Sequence, residues 1–390
     1  MSEPRPLVYG SEILRRIFAS GGISRAELAE ALNLDRATVT RIVRELLKKN
    51  YLEEYGVEEQ SEIRQGRKRI LLSVSERMGC ALGFEIQQDT IKAAAVLPSG
   101  RLLLQRTFSR NADTLVSVRD LEFAVETLKH DVSRKGFRVL GAGFALSGIV
   151  DPVAGIFQFN PFLGKKSRPL PVKQELEQRI CMPVFLDNDA KCCCYDVLGY
   201  SNPGALDDFL YIFCELPEDP AEQDRFLRVQ LGMALVVKGQ VLYGSRNAAG
   251  EYRSVFADVS VPGQFGHIRS DYFCYIKSDE DRRKEFFKDL ARNVAFIANF
   301  LDLQSIYLGG GIERYKQEFT EALKSAVKAT WLYEQYIPRT VPVYFAESDE
   351  KPAVRGAASL VFRRIFVDTD EASGLAYLDH VSEGLAHGKG

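Results

Sequence analysis

Three groups of residues in this chain are of types that do chemistry. The first is a run of donors, Arg36, Thr38, Thr40, Arg41, Arg44 and Lys48, spaced so that they share the polar side of one helix. Guanidinium, ammonium and hydroxyl groups arranged in this way donate to phosphate oxygens and to the acceptor edges of bases. The second group is Asp187-Asn188-Asp189, which follows the apolar run Pro183 to Leu186 and opens a helix through Lys191 and Cys192. Open α/β sheets place ligands outside the carboxyl ends of their strands, so this cluster is positioned either to hold a ligand or, through Asp189, only to cap the helix. The third is Cys192-Cys193-Cys194. Adjacent helical residues point about 100° apart, so three such thiols do not converge on one ion and read as small buried core residues.

The donors need a helix aimed at a groove, and the surrounding sequence supplies one. Ile13, Leu14, Ile17 and Phe18 recur at helical spacing from Ser11 until Gly21-Gly22 stops them. Ser24 followed by Glu27 forms a capping box for a second helix, whose buried stripe is Leu28, Ala29 and Leu32. A turn at Asn33-Leu34 leads to Asp35, the N-cap of a third helix with Val39, Ile42, Val43, Leu46 and Leu47 on one face until Asn50. Two short helices joined by a tight turn, the second basic on its outer face, predict a helix-turn-helix, with Arg36, Thr38 and Arg41 entering the major groove. Beyond Tyr51-Leu52 an acidic stretch (Glu53, Glu54, Glu58, Glu59, Glu62) reverses sign at Arg64, Arg67, Lys68 and Arg69, and Ile70 to Val74 reads as the returning strand of a hairpin wing. The acidic tip would be repelled by phosphates, so DNA contact is expected at the wing base, from those four cations in or across a minor groove.

The whole chain has 390 residues, enough for two or three domains. Its 46% hydrophobic and 27% charged residues are those of a globular protein. Net charge is −2, so a nucleic-acid surface must be local rather than global. The seven cysteines form no C-x-x-C pair, which argues against a secreted disulfide framework and for reduced thiols. No apolar stretch approaches the roughly 18 residues of a membrane span, and Met-Ser-Glu-Pro-Arg-Pro offers no apolar signal core, so a cytoplasmic protein without a membrane partner is expected.

From Gly79 onward β-rich and helical segments alternate between glycine turns, predicting an α/β fold. Cys80 to Leu104 reads as a strand pair running into a third strand through Pro98-Ser99-Gly100. A helix over about Val116 to Arg134 follows, then a buried strand over Arg138 to Leu146 and a loop, Ser147-Gly148-Ile149-Val150-Asp151-Pro152.

Six segments carry a family resemblance in order along nearly the whole chain. They are residues 24–43 of the helix-turn-helix, Gly-Arg-Lys at 66–68, Leu-Ser-Gly-Ile-Val-Asp at 146–151, Asn-Asp-Ala at 188–190, Asn-Ala-Ala-Gly-Glu at 247–251 and Leu-Gly-Gly-Gly-Ile at 308–312. With these the chain resembles the ROK family of sugar kinases and repressors, in particular its xylose- and N-acetylglucosamine-type repressor branch. The resemblance implies a winged helix-turn-helix at 1–77 and, at 78–390, a two-lobed ribonuclease-H-like core of the actin and hexokinase type for effector binding and dimerisation. It implies a sugar or sugar phosphate held by Asn188, Asp189 and Glu251, with Asp189 at the vestigial position of the kinase base. The implied partners are an operator duplex and a second copy of the chain, as a homodimer or a dimer of dimers.

The departures bear on catalysis. Where kinases of the family have an Asp-x-Gly-Gly-Thr loop, this chain has Glu85-Ile86-Gln87-Gln88-Asp89-Thr90. The second phosphate loop, after Phe209 to Cys214, is replaced by Glu215 to Arg228, where Glu215, Glu218, Asp219, Glu222 and Asp224 would repel phosphates. The third run, Gly309-Gly310-Gly311, is retained and could be a turn alone. The family's zinc ligands are missing: Tyr252-Arg253-Ser254 follow Glu251, and Gly266-His267 has only Cys274 nearby. The expectation is a regulator without enzymatic activity, catalytic residues, metal or cofactor. The alternative is an active ATP-dependent sugar kinase with a DNA-binding arm.

Overall fold

Side chains that replace missing backbone partners set the first element boundaries. In the computed structural model, residues 5–57, 70–111, 116–160, 167–200, 207–215, 230–258, 260, 264–265, 276, 278–346, 351–367 and 375–379 are described. Helix α1 (Arg5–Ser20) begins before the Ser11 start expected from periodicity, because Pro6 in a first turn forfeits no helical hydrogen bond. Strand β1 (Ile23–Ser24) leads into α2 (Arg25–Ala31), where the Ser24 hydroxyl accepts from the Glu27 amide and the Glu27 carboxylate accepts from the Ser24 amide at 2.9 Å. Helix α3 (Arg36–Lys48) starts at Asp35, whose Oδ1 accepts from the Thr38 amide at 2.8 Å. Strands β2 (Leu52–Val57) and β3 (Ile70–Val74) pair antiparallel, and β1 pairs with β3 to complete a three-stranded sheet of order β1-β3-β2. The register shifts between Tyr55 and Val57, at Gly56 with φ +58°, which is a glycine bulge.

The next strands are those expected from the strand and helix signals between Cys80 and Leu146. They are β4 (Cys80–Ile86), β5 (Thr90–Val96), β6 (Leu102–Ser109), and, after helix α4 (Val118–Arg134), β7 (Val139–Leu146). A small hairpin of β8 (Ile149–Asp151) and β9 (Ile156–Phe159) follows where the sequence predicted only a loop. Asp151 turns it by accepting from the amides of Val153 and Ala154, so two paired strand ends hide inside a turn-like sequence. Helix α5 (Val172–Ile180), β10 (Val184–Asn188) and α6 (Asp189–Tyr200) follow. The resulting sheet has order β10-β7-β4-β5-β6, antiparallel across β4, β5 and β6 and parallel across β4, β7 and β10.

Both faces of the central strands β4 and β7 are buried, which removes the polar alternation of a one-sided sheet, whereas the edge strand β6 is largely exposed. Leu82, Phe84, Ala93 and Phe144 pack with Leu121, Leu128 and Leu176 of α4 and α5. On the other face lies the late helix α9 (Pro352–Phe366), which Gly83 and Gly143 admit at close range. A Cβ at Gly83 would stand 2.0 Å from the Val354 carbonyl oxygen, and one at Gly143 would stand 1.9 Å from that of Ala357. Only hydrogen fits there.

A second sheet repeats the plan. It contains β11 (Phe209–Glu215), β12 (Gln230–Val237), β13 (Gln240–Val241), β14 (Ser305–Gly309) and β15 (Val343–Phe345), in order β13-β12-β11-β14-β15. Its first three strands are antiparallel and its last two join in parallel, as in the first sheet. Helices α7 (Glu280–Phe300) and α8 (Lys316–Thr330) cover the face carrying Leu210, Ile212, Ile306 and Leu308. Helix α9 follows β15, and a further helical turn stands at 375–379. The chain divides into two compact units. The first is Met1–Asn188, Tyr195–Gly204 and Ala353–Gly390, and the second is Asp189–Cys194 and Ala205–Pro352.

The amino-terminal helices are not a separate core within the first unit. Phe18 of α1 packs on Phe362 and Phe366 of α9, with ring centroids 6.0 and 5.7 Å apart. Val39, Val43 and Leu46 of α3 share one apolar cluster with Ala81, Ala94, Leu140, Val361 and Phe362.

Candidate nucleic-acid interface and sugar site

The buried stripe of α3, Val39, Ile42, Val43 and Leu46, turns the opposite face outward. On that face Arg36, Arg41, Arg44 and Lys48 are exposed, and Thr38 and Thr40 are half-buried. None of the three arginines forms an ion pair among the described residues. The Thr40 hydroxyl donates back to the Arg36 carbonyl at 2.7 Å, which leaves its oxygen lone pairs outward. The Asp35 carboxyl lies below its ordinary pKa because the Thr38 hydroxyl and amide hydrogen-bond its charged form. Strand β2 is tied to the segment before α3: Arg25 of α2 pairs with Glu54 of β2, and the Tyr55 hydroxyl donates to the Gly21 carbonyl at 2.7 Å. Arg64, Arg67, Lys68 and Arg69 lie outside the described residues.

In the first unit, Asn188 ends β10 with its side-chain amide donating to the Gly148 carbonyl at 3.0 Å and its backbone amide donating to Asp187 at 2.8 Å. In the second unit, Asp189 is the first residue of α6 rather than its N-cap, and its Oδ1 accepts from the Ala190 amide at 2.8 Å. Close to it in the fold is Gly232 of β12, where an added Cβ would stand 3.6 Å from Asp189 Oδ1. Glu251 follows Gly250, which has φ +97° and whose added Cβ would lie 1.8 Å from the Met233 carbonyl oxygen. The Gly-Glu pair is therefore fixed by a backbone approach that only glycine allows. Desolvation by the surrounding protein raises the Glu251 carboxyl pKa, and the charge of Lys191 opposes that rise.

Lys191, to which the sequence pattern assigns no ligand role, also stands near Glu251. It is only 2% exposed, donates to the Asn247 carbonyl at 3.1 Å and sits 5.6 Å from the centre of the Tyr243 ring. The sequence shows only a lysine in the first turn of α6, between Ala190 and three cysteines, an apolar setting in which a buried ammonium needs a partner that the sequence does not name. Cys192, Cys193 and Cys194 are fully buried, as small core residues are.

Of the three stretches that the resemblance sets against kinase phosphate loops, the first is filled by side chains. In the first unit Glu85 is buried, accepts from the Gln87 side-chain amide at 3.0 Å and lies 3.6 Å from the Lys92 ammonium. Gln87 in turn accepts from the Thr90 hydroxyl at 3.0 Å, and Arg110 donates to the carbonyls of Gln87 and Gln88. Side chains thus fill a turn that must present bare amides to cradle a phosphate. In the second unit β12 begins at Gln230, while residues 216–229 lie outside the described set. The retained glycines have a packing reason: Gly310 and Gly311 take φ +94° and +115°, and a Cβ on Gly310 would come within 2.8 Å of the Cys214 backbone. His267 and Cys274 lie outside the described residues, among which no group of three or more His, Cys, Asp or Glu is placed to hold a metal. No described helix is long and apolar enough to cross a membrane.

A helix-turn-helix followed by two sheets of one repeated strand order defines the class: a helix-turn-helix segment joined to an α/β domain of sugar-kinase-like fold. Residues 11–55 match the MarR family and residues 277–364 match the ROK family. It is similar to the xylose repressor of Caldicellulosiruptor bescii, 22% identical over 241 residues that make up 61% of this chain and 56% of the relative. The chain thus spans little more than half of the length of that relative. A solved ROK family transcriptional regulator, a homologue of the Escherichia coli MLC protein, aligns over 96% of this chain and 99% of its own, with TM-score 0.70 and 16% identity. The ROK glucokinase of Streptomyces griseus, solved with glucose and AMPPNP, aligns over 72% of this chain and 99% of its own, with TM-score 0.54 and 18% identity. Regulator and kinase share the fold, so fold alone does not choose between them.

Proposed function

We propose that this protein is a transcriptional repressor of sugar uptake or catabolism genes, controlled by a sugar or sugar phosphate. The observation that carries the reading is the outer face of α3, where Arg36, Arg41 and Arg44 stand exposed without an ion pair among the described residues. A rigid, capped helix with donors on its outer face suits a major groove. In this reading residues 1–77 bind DNA, with Thr38, Thr40, Arg64, Arg67, Lys68 and Arg69 assisting, and residues 78–390 bind effector and dimerise. Two copies would read two half-sites about one helical turn or a multiple apart. Asn188, Asp189 and Glu251 would hold the sugar hydroxyls, with Lys191 setting the charge beside Glu251. Phosphoryl transfer is not part of this reading, because Glu85, Gln87 and Arg110 fill the first phosphate turn.

The test is selection of a duplex from a randomised pool, followed by titration of that duplex with and without a panel of sugars and sugar phosphates. Arg41→Ala should cost about 1–3 kcal/mol in affinity for a selected duplex if Arg41 reads a base, and should leave sugar binding unchanged. No enrichment of any duplex would end the proposal. Sugar-dependent ATP turnover above background in a coupled assay would replace it with a kinase.

A further inference from the structure

Within the first unit, the end of the recognition helix is held by a residue some three hundred positions later. Asp379, in the helical turn at 375–379, accepts from Lys49 Nζ at 2.8 Å with both carboxylate oxygens. Its Oδ1 also accepts from the Tyr51 hydroxyl at 2.8 Å. Lys49 is the C-cap of α3, and Tyr51, only 1% exposed, directly precedes β2. One carboxylate therefore ties together the last turn of the DNA-reading helix and the start of the wing. The turn that carries it is anchored independently: Leu375 and Leu378 are buried in the shared apolar cluster, and the Tyr377 hydroxyl donates to the Leu140 carbonyl of β7 at 2.7 Å.

We infer that Asp379 is a positioning residue for DNA recognition, fixing α3 and the wing as one reading head against the α/β core; this rests on the DNA-reading role of α3 proposed above. The Lys49 and Asp379 side chains are 43% and 27% exposed, and half-exposed ion pairs add little to stability. Their effect is geometric. A groove contact tolerates little rotation of the helix that makes it, whereas a contact with phosphates alone is more forgiving. Loss of the tie should therefore be felt in sequence-specific binding and hardly at all in non-specific binding or in melting.

The experiment uses the full chain and a duplex that the unaltered protein itself selects from a randomised pool, with a shuffled duplex as the non-specific control. Asp379→Asn should weaken binding to the selected duplex by about fivefold or more and leave the shuffled duplex within about twofold, and Asp379→Glu should restore most of the loss. Tyr51→Phe, which removes one hydrogen bond and keeps the ring, should act in the same direction. It also provides the reading if Asp379→Asn fails to fold. Adding Asp379→Asn to Lys49→Met should cost less than it does alone, since the two remove one interaction. Equal loss on both duplexes, unchanged affinity for the selected duplex, or full additivity would each overturn the inference. Failure of the unaltered protein to enrich any duplex would instead overturn the DNA-binding reading beneath it.

Discussion

Glu251, which the proposed function sets against the sugar, carries an electrostatic cost that can be measured. Its carboxyl pKa is raised by desolvation, with Lys191 opposing, so the charged form is disfavoured in the folded state. For a raised carboxylate the penalty is absent below the unfolded pKa, grows as pH rises through the folded one and is constant beyond. Glu251→Gln should thus raise the melting temperature slightly at neutral pH, with the gain vanishing as pH falls below the ordinary carboxylate range. The same substitution should abolish sugar-induced thermal stabilisation. Melting curves at two pH values, with and without sugar, check both; a destabilised variant would assign Glu251 a structural role. Asp35 has the opposite sign: its lowered pKa means that the α3 cap helps at neutral pH and is lost as acid protonates it.

At the scale of elements, Ser24→Ala removes the hydroxyl half of the α2 capping box, leaving the residue-24 amide its bond to the Glu27 carboxylate, and should cost about 1 kcal/mol. Gly143→Ala should cost about 3 kcal/mol or more, because the methyl would overlap the Ala357 carbonyl of α9 and no side chain can move to relieve it. Denaturant titration distinguishes these from neutral changes. The capping box and the Asp35 cap were legible in the sequence because their partners lie three residues away. So were β4 to β7, whose apolar runs are long and bounded by turns. Pairings set by distant packing were not legible: the β8–β9 hairpin looked like a loop, and nothing around Gly143 names Ala357 as its neighbour. The candidate sugar residues Asn188, Asp189 and Glu251 came from ordered motifs, whereas Lys191 becomes visible only once Asn247 and Glu251 are brought near it.

At the scale of the first unit, the DNA-binding helices and the first sheet share one core, so they should melt together. Phe18→Ala, which leaves a hole against Phe362 and Phe366, should lower stability by about 3 kcal/mol and shift that joint transition as a whole. Calorimetry in which an early transition of residues 1–77 moves alone would show independent domains instead. The shared core also has a consequence for the order in which the protein comes into being. Strands β4 and β7 leave the ribosome with Gly83 and Gly143 bare, and the helix that must cover them is encoded far downstream. Contacts of such sequence separation close late in folding. During synthesis, α3 therefore emerges long before the parts that support it, and a ribosome-bound chain would expose an apolar face in place of a finished reading head. If the proposed DNA-binding role holds, the nascent chain would be unable to occupy an operator until α9 and Asp379 had been translated.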